Sequence, residues 1–164
     1  MIESIDHFVI TVADVETTLG FYERVLGFTR SMTPGNPAAL KFGSQKISVH
    51  RKDRTFEPKA KRPTPGAADF CLVAARPLEE IKTHVEKCGV TIEVGPVQRM
   101  GARGEMTSIY FRDPDGNLVE VSEYPEIEDR EATKQPRGRF AALGCFAAPA
   151  ADYLILSDRK RATC

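Results

Sequence analysis

The chain has 164 residues, of which 41% are hydrophobic and 28% charged, with 23 basic and 23 acidic side chains. That is room for one ordinary domain, and a balanced charge argues against a dedicated nucleic-acid binder, which needs a basic excess to displace phosphate counterions. No apolar run approaches the roughly 18 residues of a membrane span, and Met1-Ile2-Glu3-Ser4-Ile5-Asp6 lacks a basic stretch followed by an apolar one, so neither membrane association nor a signal peptide is expected. The four cysteines, Cys71, Cys88, Cys145 and Cys164, show no CxxC spacing and read as reduced thiols of a cytoplasmic protein.

Taken in chain order, the sequence repeats itself. A strand over about 4–12 leads into an amphipathic helix over about 14–26, with Asp14 as N-cap, Val15, Leu19, Tyr22 and Leu26 at helical spacing, and Gly27 as a left-handed stop. Short strands follow at about 28–33, 38–42 and 45–50. Residues 51–65 form a linker rich in Lys, Arg and Pro, read either as a solvated connection or as a rim attracting an anionic substrate. Laying His7 over Asp69 then superposes Phe8 on Phe70, Leu19 on Ile81 and Gly27 on Gly89 without a gap. The second half accordingly predicts a strand at 67–75, a helix at 77–88 with Pro77 in its first turn, and strands at about 91–95, 106–112 and 117–123. Asp115-Gly116-Asn117 marks the turn between the last two. The stretch 96–105 is punctuated by glycine and reads as a loop, either a lid over a cleft or a loose hairpin end. The fold class is α+β: two βαβββ repeats (3–50 and 66–124) forming a curled mixed sheet around a metal or substrate trough, with the helices outside.

Strand alternation assigns the faces. Phe8, Ile10 and Val12 of the first strand should meet the helix, leaving Ile5, His7, Val9 and Thr11 opposite. Ile47 and Val49 leave Lys46, Ser48 and His50 opposite. Phe70 and Leu72 leave Asp69, Cys71 and Val73, and Val119 and Val121 leave Leu118, Glu120 and Ser122. Ligand-type side chains (His7, His50, Asp69 and Glu120) thus recur away from the helices, where each is costly unless paired or bound to a metal. Two imidazoles with one or two carboxylates suit divalent Fe, Mn, Ni or Zn. Each also has an ordinary reading: a hydrogen-bonded core histidine at His7, an exposed strand end at His50, a turn cap at Asp69, and a solvated acidic face at Glu120. His84, on the second helix, is read as structural.

The opening Ile-Asp-His-Phe-Val-Ile-Thr-Val-Ala-Asp, the following Phe-Tyr-Glu-Arg-Val-Leu-Gly-Phe and the closing Tyr-Phe-Arg-Asp-Pro-Asp-Gly-Asn-Leu-Val-Glu-Val resemble the vicinal oxygen chelate superfamily, which includes glyoxalase I, extradiol dioxygenases, and fosfomycin and bleomycin resistance proteins. Gly-Ser-Gln-Lys-Ile-Ser-Val-His, Phe-Glu-Pro-Lys-Ala and Pro-Thr-Pro-Gly are similar to the branch of glyoxalase domain-containing protein 5. The resemblance covers about 3–124. It implies metal ligands on the first and last strand of each repeat, hence His7 and Glu120, with Asp69 where many members place a second histidine. Asp69 departs from the His-His-Glu set of the dioxygenases and fosfomycin transferases. His50 falls on the strand where glyoxalase I has a glutamate, but a gapless alignment puts Ser48 opposite Glu120. The implied chemistry is bidentate chelation of a small oxygen-rich metabolite by a divalent metal, with Glu120 and Asp69 as catalytic groups; separately, the loop arginines Arg99 and Arg103 point to an anionic substrate. Reaction types left open are isomerase or lyase, and a ring-opening or dioxygenase-type tailoring step in small organic-acid or secondary metabolism. A metal-free binding protein of the bleomycin-resistance type is the contrasting class. A homodimer sharing ligands and a chain completing its own trough both remain open. Residues 125–164 lie outside the resemblance and read as a poorly ordered tail.

Overall fold

A computed structural model describes residues 1–125, so the reading of the tail lies outside the described residues. The elements run β1 (His7–Val12), α1 (Val15–Leu26), β2 (Thr29–Ser31), β3 (Ala38–Phe42), β4 (Gln45–Arg51), β5 (Asp69–Val73), α2 (Leu78–Lys87), β6 (Val94–Gly101), β7 (Gly104–Arg112) and β8 (Leu118–Glu123). This is the expected pair of βαβββ units in an α+β fold. The strands form two four-stranded mixed sheets, ordered β1-β4-β3-β2 and β5-β8-β7-β6, and no closed barrel. In each sheet the first strand pairs in parallel with the last strand of its unit, and the other pairings are antiparallel. A right-handed crossover helix covers one face of such a unit and leaves the other bare.

Local chemistry sets the element ends. The Asp14 carboxylate accepts a hydrogen bond from the Thr17 amide at 2.8 Å, capping α1, and Gly27 ends that helix at φ 68°. One expectation needs correction. Of the two readings of 96–105 the structure gives the hairpin, a tight one of β6 and β7 rather than a loose end or a lid, and β6 covers Val94–Gly101 rather than about 91–95. Pro96, Gly101 and Gly104 read as breakers in sequence. Because β6 is an edge strand, it tolerates a residue with no amide hydrogen to donate.

The two sheets share one core. Ile10 and Val12 of β1, Ile47 and Val49 of β4, Ile109 and Phe111 of β7, and Val119 and Val121 of β8 all enter it, with Leu19, Tyr22 and Val25 of α1 and Leu78 and Val85 of α2. The Phe8 and Phe70 rings meet at 5.0 Å where the units adjoin. A polar clamp reinforces the junction. The buried Asp113 carboxylate accepts from the Tyr22 hydroxyl (3.0 Å) and from the Asn117 side-chain amide (2.7 Å), while Asp115 Oδ1 accepts from the Ala13 amide (2.8 Å). The turn that launches β8 is therefore fastened to the first helix of the other repeat.

Candidate functional site

Since the apolar faces of both sheets turn into that common core, their polar faces lie outside it. The strand register fixes which polar side chains are neighbours. On the first sheet His7 pairs with Lys46, Val9 with Ser48 and Thr11 with His50. On the second, Asp69 pairs with Leu118, Cys71 with Glu120 and Val73 with Ser122. With His7 and Asp69 as equivalents, Ser48 is the counterpart of Glu120 and His50 the counterpart of Ser122. His50 therefore stands two residues, or ~7 Å, along β4 from Ser48, the counterpart of Glu120.

Glu120 is the best-organised of these groups. Tyr110, directly across the β7–β8 ladder, donates its hydroxyl to Glu120 Oε1 at 2.7 Å, and Ser122 donates to the same oxygen at 3.2 Å. The Ser122 hydroxyl is itself 2.8 Å from that of Ser108 and 3.1 Å from the Cys71 thiol. Partial burial pushes the Glu120 carboxyl upward, but the hydroxyls of Ser108, Tyr110 and Ser122 and the Cys71 thiol outweigh it and hold the group below its usual value. Glu120 is thus an anion at neutral pH. Arg99 Nε donates to the Tyr110 oxygen at 3.1 Å, and its guanidinium lies 5.5 Å from that ring's centre. Burial raises Tyr110, and the bond to Glu120 raises it further against the opposing pull of Arg99, so the phenol keeps its proton. Burial likewise raises Cys71, which leaves it a neutral thiol rather than a nucleophile.

His7 stands half exposed at the start of β1, its Nδ1 2.6 Å from Asp6 Oδ1. A carboxylate on one ring nitrogen fixes the imidazole and leaves Nε2 free to coordinate, the pairing common behind metal-bound histidines. Asp69 is exposed at the matching position of β5. Arg103 is turned elsewhere: its guanidinium lies 4.0 Å over the Tyr124 ring. Among the described residues of one chain, no three His, Cys, Asp or Glu side chains stand close enough together to hold an ion. His7 and Glu120 each suit a divalent cation by donor chemistry, but they sit on different sheets. Sequence reasoning missed Tyr110, Ser108 and Ser122 as partners of Glu120. Their alternation parity was legible, whereas the β7–β8 register was not.

A profile of the glyoxalase/bleomycin resistance protein/dioxygenase superfamily matches residues 4–121. The chain belongs to that superfamily. Virulence protein STM3117 of Salmonella typhimurium is 51% identical over 124 residues, spanning 76% of this chain and 86% of that protein. Its crystal structure superposes with a TM-score of 0.74 at 50% identity, covering 76% of this chain and 99% of that one. Glyoxalase domain-containing protein RDO1 of Mycosarcoma maydis is 44% identical over 127 residues, 77% of this chain and 72% of that protein. The crystal structure of lactoylglutathione lyase from Agrobacterium tumefaciens gives a TM-score of 0.59 at 25% identity, covering 75% of this chain and 95% of that one. Among the described residues no helix is long and apolar enough to cross a membrane.

Proposed function

We propose that this superfamily member is a metal-dependent enzyme acting on a small, oxygen-rich, anionic metabolite, with His7, Asp69 and Glu120 as ligands of one divalent cation. The observation that carries this reading is the state of Glu120. Its carboxylate is ionised, Oε1 is held by two hydroxyls, and no partner engages Oε2 among the described residues. Such a group is oriented for a positive charge arriving on the open side of the sheet. His7, braced by Asp6, offers a ring nitrogen as a second donor. Because the two donors lie on different sheets whose polar faces are both outside the core, the full set assembles when the first sheet of one copy meets the second sheet of another. The half-exposed Val9 and Val73, which flank the donors on those faces, would be covered in such a homodimer. A bound divalent cation would accept two neighbouring substrate oxygens and act as a Lewis acid. Glu120, oriented by Tyr110 and Ser122, would take or return a proton at the chelated part of the substrate, and Asp69 would share that task. Arg99 serves the site through Tyr110.

Isomerase or lyase chemistry is the form we favour, supported by the likeness to a lactoylglutathione lyase. A ring-opening or dioxygenase-type tailoring step is the alternative within the same metal reading. Elemental analysis of purified protein distinguishes the branches, since nickel or zinc points to isomerisation and iron or manganese to dioxygen chemistry. His7→Ala combined with Glu120→Ala should abolish metal uptake. One observation favours a second reading as a metal-free binding protein: no single chain gathers three donors among its described residues. Ligand binding undiminished in the double variant, with no stoichiometric metal in the native protein, would establish that reading instead.

A further inference from the structure

The polar face of the first sheet differs in kind from that of the second. Its strand positions are His7, Val9 and Thr11 on β1, Lys46, Ser48 and His50 on β4, and Ala39 and Lys41 on β3, with Thr29 and Ser31 on β2. No carboxylate stands among them, and two lysines do. At its centre Thr11, Ser48 and His50 are only 7%, 7% and 4% exposed, yet none of the three side chains makes a hydrogen bond among the described residues. His50 Nδ1 is the one side-chain polar atom there that is buried and without a partner. Burial and the charge of Lys59 both disfavour the imidazolium. In the neutral ring an orphaned N–H would cost more than an orphaned lone pair, so the proton belongs on Nε2, the nitrogen not sealed from solvent. Phe56 of the 51–65 segment lies across the ring at 5.3 Å between centres. Lys59, held by Glu57 (2.8 Å) and Thr55 (2.9 Å), sets a positive charge nearby.

The Thr11 and Ser48 hydroxyls and the His50 Nε2–H thus sit on largely covered side chains, reach solvent, and have no acceptor among the described residues, which leaves all three open to an acceptor from outside. We propose that this face is a subsite for the carboxylate of a small organic acid, bound by the His50 Nε2–H and the Thr11 and Ser48 hydroxyls beneath a wall of Phe56 and Lys59. A cation suits the place poorly, since the strand positions of this face carry no carboxylate and the charge of Lys59 already disfavours a positive His50. An anion gains from that charge. His50, two residues along β4 from the position equivalent to Glu120, thereby holds the ligand's carboxylate rather than the metal. The proposal deepens the reading above by naming the substrate class, but every donor belongs to one sheet, so it can be tested without metal.

The test uses the full chain in EDTA, with malonate as probe and malonamide as its uncharged counterpart. Long-range proton–nitrogen spectra of protein labelled at its three histidines should show His50 neutral and protonated at Nε2, and malonate should move that signal while malonamide does not. Replacing a hydrogen-bond donor to a charged acceptor weakens binding by about tenfold or more, the loss expected in His50→Leu and, more mildly, in Thr11→Val. His50→Gln, which keeps an N–H near the Nε2 position, should bind within about threefold of the native chain. Malonate that leaves His50 unmoved, or binds His50→Leu as well as native protein, overturns the proposal. Manganese binding, measured separately, distinguishes the two readings: a metal-binding protein with an unresponsive His50 loses only the subsite, and a responsive His50 without metal uptake loses only the metalloenzyme.

Discussion

Asp113 offers the clearest quantitative check on how the two repeats are held together. Its side chain is buried and accepts four hydrogen bonds: Oδ1 from the amides of Asp115 (3.0 Å) and Asn117 (2.9 Å), Oδ2 from the Tyr22 hydroxyl (3.0 Å) and the Asn117 side-chain amide (2.7 Å). Asp113→Ala removes the acceptors of all four bonds while Tyr22 and Asn117 stay buried. At about 1 kcal/mol for each stranded donor, the low end of the usual range, the cost is about 4 kcal/mol. For the 125 described residues an unfolding entropy of about 2.1 cal/mol/K per residue makes 1 kcal/mol worth roughly 4 °C, so the melting temperature should fall by roughly 15 °C. Tyr22→Phe alone removes one donor and leaves three, for a loss of about 1–1.5 kcal/mol. In the Tyr22→Phe background Asp113→Ala strands one group fewer, so a double-mutant cycle should give a coupling of about 1 kcal/mol. Urea unfolding followed by circular dichroism measures each corner. Strictly additive losses, or a loss under about 1 kcal/mol for Asp113→Ala, would refute the claim that this clamp joins the repeats.

Tyr110→Phe removes a 2.7 Å hydrogen bond to the charged form of Glu120; the carboxyl pKa should rise, read by carbon NMR, and manganese affinity should drop about 10–100-fold, the usual range for losing a group that orients a ligand. His50 titrates lower in the folded chain than its ordinary 6.5. The unfolded state therefore binds the extra proton first, and stability should decline as pH falls below about 6.5. His50→Gln should flatten that part of the stability curve, and an unchanged slope would contradict the assignment. A Cβ at Gly95, where φ is 115°, would meet the Ser108 carbonyl oxygen and, at 2.8 Å, Cα of Ile109. Gly95→Ala should thus cost about 3 kcal/mol or more. Gly27→Ala, at φ 68° with open space around it, should cost only about 1 kcal/mol in thermal unfolding.

What could be read in the sequence follows the range over which each feature acts. The Asp14 cap, the Gly27 stop and the spacing of Leu19 and Tyr22 are local, and the helix follows from them. So is the alternation that turns Glu120 away from Val119 and Val121. The full length of β6 was hidden because the residues that shape it also shape loops, and only its place at a sheet edge makes Pro96 acceptable. Tyr22 and Asp113 lie 91 positions apart, and no periodicity links them. The bond from Tyr110 to Glu120 depends on an antiparallel register, and the Phe56 wall over His50 depends on the path of a segment with no regular structure of its own. Composition identified that segment as basic but gave no sign of which strand end it would cover.

The core common to both repeats makes neither of them self-sufficient. Cutting the connection anywhere in 52–65 would separate two fragments that each bare an oily surface, and Tyr22 on one would seek Asp113 on the other.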